Sequence, residues 1–463
     1  MLLIIGCEVN EDASSINVTE SDKVPFFPES IPAGNDSSYD IKLQMNSLGE
    51  FEVEAKINIK NTSEDTWNEL IFYFIPNVFT EQTLSKISHP LANPGTLSVQ
   101  EVLINGEKTE YSIDKDTFKI PLSSPLISNG EVIVVVTYKF SLPENGLRYT
   151  KNNGNYYLAQ FYPMLSSYRE HRWNKEDYRF KGETYHTDFS DFNISYQLPE
   201  GYILASTSPN DSYPSEKQGI LQAKNVKLFF AAILKNPNVI EKDVGHINIR
   251  VFGFGEDYKL FQEITDIASG ALSYFEENIG PYPHDQLDIV LDGMSMEYPG
   301  IVTAHSIHDS IPLEPELLKK TVVHELAHQW FYGIISNDPY HEAWLDEGFA
   351  EFATGLYFYS QLNTDVPYDS ISKILKYLEP LPVNLSLDEY DSNHNLYIYG
   401  KSNAMLWKFF EKRGGLEEAE NFLKTYYQYY QYKEVNTSEF IRFTKHYFGL
   451  KDNLDFEEWL KIE

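Results

Sequence analysis

Cysteine is almost missing from this 463-residue chain, and the lone Cys7 excludes both an internal disulfide and a cysteine-based metal cluster. Basic residues are scarce too: 37 Lys and Arg stand against 69 Asp and Glu. The net charge of −32 repels phosphate backbones and anionic lipid surfaces, so no nucleic-acid partner is expected. Beyond the first few residues no segment reaches the roughly 18 apolar residues of a membrane span, which predicts a soluble body. A fixed-period repeat of the propeller or solenoid kind is also lacking. What the chain has in quantity is aromatic surface, 33 Tyr and 29 Phe, enough to build several cores. At roughly 100–200 residues per domain, two to four units are expected.

The position of Cys7 says more than its solitude. Met1-Leu-Leu-Ile-Ile-Gly-Cys7 resembles the end of a bacterial lipoprotein signal, where a small residue precedes the cysteine that becomes lipidated. It has no basic n-region, and its apolar stretch is shorter than the usual 7–15 residues. Residues 8–38, rich in Asn, Asp, Ser, Glu and Pro, have the composition of a flexible tether. Residues 1–7 are therefore expected to be the remnant of a signal that anchors the protein through lipid on Cys7, outside the cytoplasm. Without lipidation the expected location is cytoplasmic.

From 39 to 240 the chain alternates in short runs, such as Phe51-Glu-Val-Glu-Ala-Lys-Ile-Asn-Ile59 and Val132-Ile-Val-Val-Val-Thr-Tyr138, broken by Asn, Gly, Pro and Asp. Period-two alternation between turn residues predicts antiparallel sheet, so this part reads as all-β. From 241 to 463 the pattern turns α+β. Helical spacing is found over 258–278, a strand is expected at 286–291, and an extended stretch at 297–304. Helices are then expected near 316–335, 344–360, 398–413, 416–430 and 436–447.

Inside the first of those later helices lies Thr321-Val-Val-His324-Glu325-Leu-Ala-His328-Gln-Trp330. Histidines four residues apart project from one helix face and can reach a single ion, with the intervening glutamate beside the open coordination position. Two histidines on a purely structural helix would show the same spacing, so the motif alone leaves both readings open. A catalytic zinc takes three protein ligands and keeps a fourth position free. Glu347, in Ala343-Trp-Leu-Asp-Glu347-Gly-Phe-Ala-Glu351, is a candidate for the third ligand. Glu351, one turn further on, could orient a ligating histidine.

His324-Glu-Leu-Ala-His-Gln-Trp330 followed by Trp344-Leu-Asp-Glu-Gly-Phe-Ala350 resembles the paired signature of the gluzincin zinc aminopeptidases related to aminopeptidase N. The resemblance implies a multidomain fold, an N-terminal all-β saddle domain followed by a thermolysin-like α+β catalytic domain. It also implies one zinc per chain, held by His324, His328 and Glu347, with Glu325 as the general base. Met296-Glu297-Tyr-Pro-Gly300 is similar to the family's substrate strand, in which a glutamate holds the free α-amino group, although Met294-Ser295 departs from its glycine-led pattern. Tyr397-Ile-Tyr399-Gly-Lys401 resembles the segment whose tyrosine steadies the oxyanion, with Tyr399 the better match and Tyr397 the fallback. Gln160 stands at a position that helps to bind the amine, while Tyr162 replaces an acidic residue common in relatives.

The expected activity is removal of the first residue from peptides with a free amino terminus. Zinc endopeptidase activity, or a peptide-binding scaffold without chemistry, are the alternatives. Glu297 argues against the first, and the intact ligand and base set argues against the second. Epoxide hydrolysis, which one branch of the relatives performs, has no sequence feature in its favour. Only about sixty residues follow Tyr399, fewer than the helical domain of larger relatives, so a more open site is expected.

Overall fold

The computed structural model of the protein describes residues 25–304, 314–364, 368–377, 379–391 and 393–462. The predicted signal remnant at 1–7, Cys7 included, lies outside the described residues, as do residues 8–24 of the predicted tether.

Alternation carries the first half into sheet. In the strand Glu50–Asn61 the side chains of Phe51, Val53, Ala55, Ile57 and Ile59 are buried, and the residues between them face outward. This strand is central in a seven-stranded sheet ordered Gln218–Val226, Ser190–Gln197, Asn35–Met45, Glu50–Asn61, Glu131–Ser141, Thr96–Ile104 and Glu107–Lys108. Register is locked by aromatic pairs across the strands. Phe51 lies opposite Phe140 with ring centroids 4.9 Å apart, and Tyr39 opposite Phe192 at 4.7 Å. Two four-stranded sheets and a two-stranded one, Ser167–Arg169 with Arg172–Asn174, complete the β-rich half, which also contains a short helix, Glu81–Lys86, that the all-β reading did not include.

The second half is built on a four-stranded sheet of Asn238–Val244, Ile247–Gly253, Gln286–Val290 and Ile301–Thr303, the last three parallel. The Tyr258–Asn278 helix makes the crossover between the first two parallel strands, with the span its spacing predicted. At the sheet's edge Met296 bridges Thr303 in antiparallel fashion, which fixes the Met296-Glu297 segment. Met296, Tyr298 and Ile301 join the hydrophobic cluster of the β-rich half, whereas Val302 and Ala304 belong to the cluster of the helical half. One strand therefore pins the Met296-Glu297 segment between both cores.

Three expectations need correction. The helix expected over 316–335 runs only from Pro315 to Ala327. Beyond it Gly333 N–H bonds back to the His328 carbonyl and Ile335–Ser336 pairs in parallel with Lys433–Glu434, so tertiary pairing ends a helix whose apolar pattern continues. The helix expected from 398 begins as a π-helical turn, Leu396–Lys401, before regular Ser402–Glu411; such turns occur often at functional sites. The predicted tether does not extend free to residue 38. Phe26 packs against Tyr429, Phe443 and His446 under the Arg442 guanidinium, Ile31 N–H bonds to the Glu434 carbonyl, and the first strand starts at Asn35. A polar composition conceals a single aromatic anchor.

Candidate metal centre

The Pro315–Ala327 helix begins with proline in its first turn, where a missing N–H leaves no bond unmade. Val322, Val323, Leu326 and Ala327 are fully buried and hold the helix to the core, while His324, Glu325 and His328 turn toward a cavity of about 700 Å³. The next candidate donor comes from the Trp344–Leu362 helix. Trp344 is fully buried edge-to-face on Phe440 and Trp459, and its Nε1–H donates to Thr437 Oγ1 at 2.8 Å. That anchor places Glu347, one turn later, against the two histidines.

His324 Nε2 and His328 Nε2 lie 3.1 Å apart, and Glu347 Oε2 lies 3.2 Å from the first and 3.1 Å from the second. Three donor atoms at the corners of a nearly equilateral triangle suit one shared ion. Donors at 2.0–2.1 Å from a tetrahedral zinc stand about 3.3 Å from one another, so the set fits zinc. A zinc site orients its histidines through their outer nitrogens. His328 Nδ1–H donates to the Phe331 carbonyl at 3.0 Å, leaving Nε2 as the free lone pair. His324 Nδ1 lies 3.2 Å from Glu351 Oε2, off the line of a straight hydrogen bond, and Lys320 holds the other Glu351 oxygen at 2.5 Å.

The field at this point is strongly negative. Burial alone would raise the pKa of the Glu347 carboxyl, but the charge of His328 and the hydrogen bonds of both histidines hold it well below the usual carboxylate range. Burial would likewise lower the pKa of His324, yet its contacts with Glu347 and Glu351 push it up to about 9. A field that draws a proton onto a buried imidazole also draws a dication. Glu325, beside the triangle, is pushed up to about 8, first by burial and then by Glu297, against the pull of the histidines. The Glu297 pKa is raised by burial, with His328 opposing and Glu347 assisting.

The cavity brings together His324, His328, Glu347, Glu325, Glu297, Met296, Glu351 and Tyr399, all expected from sequence. The Tyr399 ring stacks near His324 at 5.7 Å, and its hydroxyl donates to Glu347 Oε1. The fallback Tyr397 instead donates to the Glu379 carbonyl at 2.7 Å, away from the donor triangle. Gln160 does not line the cavity: it is fully buried at a left-handed φ of 57°, and neither amide atom has a hydrogen-bond partner. Tyr162 is buried, its hydroxyl accepting from Phe229 N–H at 2.9 Å. Sequence reading missed Arg148, Glu183 and His394, which also line the cavity. No motif marks them, because they arrive from distant segments.

Residues 264–459 match the Peptidase family M1 domain, a span that contains the whole donor triangle, Glu297 and Tyr399. This region is an M1 peptidase domain. The likeness to the gluzincin aminopeptidase group, read from the paired motifs, stands. The chain is 26% identical over 212 residues to leukotriene A-4 hydrolase of Xenopus laevis, covering 41% of this chain and 34% of that one. Leucine aminopeptidase 2 of Candida albicans is 22% identical over 439 residues, covering 83% of this chain and 66% of the yeast one. Of the first curated relatives, the chain spans about a third of the length. The fold reaches beyond the M1 domain: the solved M1 zinc metallopeptidase of Deinococcus radiodurans superposes with a TM-score of 0.64 at 15% identity, over 94% of this chain and 96% of that one. The two-part architecture, β-rich then helical, is therefore that of a multidomain M1 peptidase.

Proposed function

We propose that this chain is a zinc-dependent aminopeptidase that binds one zinc on His324, His328 and Glu347 and removes the first residue of peptides with a free amino terminus. The observation that carries the reading is the presence of Glu297 in the same cavity as the donor triangle. A buried carboxylate there can pair with a terminal ammonium, and once that end is held, only the first carbonyl reaches the metal residues. The relatives agree in chemistry: several are named aminopeptidases, and a variant of the Deinococcus enzyme has been solved with Tyr-Ser-Ala as bound substrate.

When bound, zinc supplies Lewis acidity and lowers the pKa of water from about 15.7 toward 7. Glu325 takes the proton of the attacking water on its carboxylate and passes it to the leaving nitrogen. Tyr399 releases Glu347 Oε1 as its acceptor and donates instead to the oxyanion forming at the first carbonyl. Glu351 holds His324 in the ligating orientation. Glu297 anchors the ammonium and Met296 stands beside it on the same strand segment.

The division near residue 240 and lipidation of Cys7 belong to the same proposal; labelled fatty acid incorporated by the wild type and absent from Cys7→Ala would support the anchor. The central test is to measure zinc content, then compare hydrolysis of free and N-acetylated aminoacyl arylamides by the wild type and Glu325→Gln. Turnover of free substrates alone, lost in Glu325→Gln with zinc retained, is expected. Equal rates on blocked and free substrates would establish an endopeptidase, and bound zinc without turnover of either would establish a scaffold.

A further inference from the structure

Lys181 and Gly182 form part of the cavity wall on the side of the β-rich half. Gly182 has a left-handed φ of 60°, and a Cβ there would stand 2.7 Å from Leu387 Cδ1, so glycine allows the two segments to meet. Next to Leu387, the Asp388 carboxylate accepts from Arg179 Nε at 3.0 Å and from the Tyr340 hydroxyl at 3.2 Å. Its other oxygen lies 3.2 Å from Lys181 Nζ. Two cations on one carboxylate leave one positive charge in excess. Lys181 is the one of the two that lines the cavity, and Asp388 is its one carboxylate partner among the described residues. An ammonium has three N–H donors, so most of its capacity is left for a ligand.

His394 lines the same cavity, and its Nδ1 has no hydrogen-bond partner among the described residues. Burial first and then the Lys181 charge lower its pKa, with Glu347 opposing, so a neutral imidazole with one N–H stands within reach of both the lysine and the donor triangle. The other cations of the wall are already paired, Arg148 with Glu183 and Lys320 with Glu351. Around them the lining is acidic. An uncompensated lysine in that setting gives a ligand anion one place where it is attracted rather than repelled.

We propose that Lys181 and His394 form a carboxylate-binding site in the peptide cavity, which selects peptides that carry a carboxylate near the cleaved bond. The proposal rests on the aminopeptidase reading above. Two parts of a peptide supply this chemistry: an acidic side chain on the first residue, or the terminal carboxylate of a short peptide. Lys181 contributes the charge and His394 a neutral donor. Asp388 is a positioning residue that holds Lys181 and competes with the ligand for it.

The test is steady-state kinetics on the zinc-loaded full chain with two matched pairs, α-glutamyl against glutaminyl arylamide and leucylglycylglycine against its terminal amide. Leucyl arylamide serves as the reference substrate. In kcat/KM the wild type is expected to favour the acid in at least one pair by roughly 10- to 100-fold, the range of a hydrogen bond to a charged group. The pair that responds identifies the source of the carboxylate. Lys181→Gln should bring that ratio to one or below, Lys181→Arg should keep most of it, and His394→Phe should lower it in part. Asp388→Asn removes the competing carboxylate and should raise the ratio, a reversal that a merely structural role does not produce and that serves if the glutamine variant does not fold. A wild type that turns over leucyl arylamide but favours the acid in neither pair overturns the carboxylate site and leaves the aminopeptidase reading standing. So does a ratio that neither Lys181→Gln nor Asp388→Asn changes. Zinc-loaded wild type that turns over none of the substrates overturns both.

Discussion

The Tyr399 hydroxyl donates to Glu347 Oε1, the carboxylate oxygen opposite the one that faces His324 and His328. The proposed oxyanion donor and the proposed third ligand are therefore linked directly. Substitution at Tyr399 tests whether its role is separable from metal binding. Tyr399→Phe should retain zinc by metal analysis, while kcat on a free aminoacyl arylamide falls by roughly 10²–10³, the usual effect of removing one oxyanion donor. Loss of zinc with the phenylalanine would instead make Tyr399 a support for Glu347.

Glu351 bridges Lys320 and the outer nitrogen of His324. Substitution by glutamine keeps its size and removes the charge that favours Nδ1–H. Zinc affinity, measured by competition with a chromophoric chelator, should fall by roughly 10- to 100-fold, and excess zinc should restore activity. Chelation of the wild type should lower its thermal midpoint, since an ion bound only by the folded state stabilises it by mass action. An unchanged zinc affinity in Glu351→Gln would remove Glu351 from the site.

Behind the loop joining the two ligand helices, His186 lies 3.0 Å from Glu434 Oε2 and 3.4 Å from Asp338 Oδ2. Burial opposes its charge, but Glu434 and Asp338 prevail and push its pKa up to about 9. Arg169 and Lys227 supply the balancing cations, Arg169 by direct contact with Glu434 at 2.7 Å. The folded pKa is above the unfolded value near 6.5, so the contribution is complete below about 6.5 and is lost as pH rises through about 9. Over that window the His186 term should change by roughly 3 kcal/mol. Denaturant unfolding of the wild type and His186→Gln at pH 6 and pH 9.5 should show the gap between them narrowing at the higher pH. A gap independent of pH would mean that His186 is neutral in the folded protein.

Much of the fold was legible because its signals are local. Alternation in Phe51–Ile59 and the 3.6-residue spacing of Tyr258–Asn278 state which face of an element is apolar, and both elements form as read. The end of the HExxH helix was not legible: Trp330 and Phe331 continue its apolar pattern, but pairing of Ile335–Ser336 with a strand a hundred residues away ends it. The tether reading failed at Phe26 for the same reason, since its partners belong to the last helices.

The chain itself determined the donor set. His324 and His328 share a face because an α-helix repeats every 3.6 residues, whatever the rest of the molecule does. Which groups meet that face was decided only by tertiary packing. Trp344 in its pocket sets Glu347 against the histidines, and the π-helical turn presents Tyr399 rather than Tyr397. The cavity wall supplied by Arg148 and Glu183 comes from another core. Those juxtapositions depend on how two separately formed cores meet, and no sequence period records such a distance.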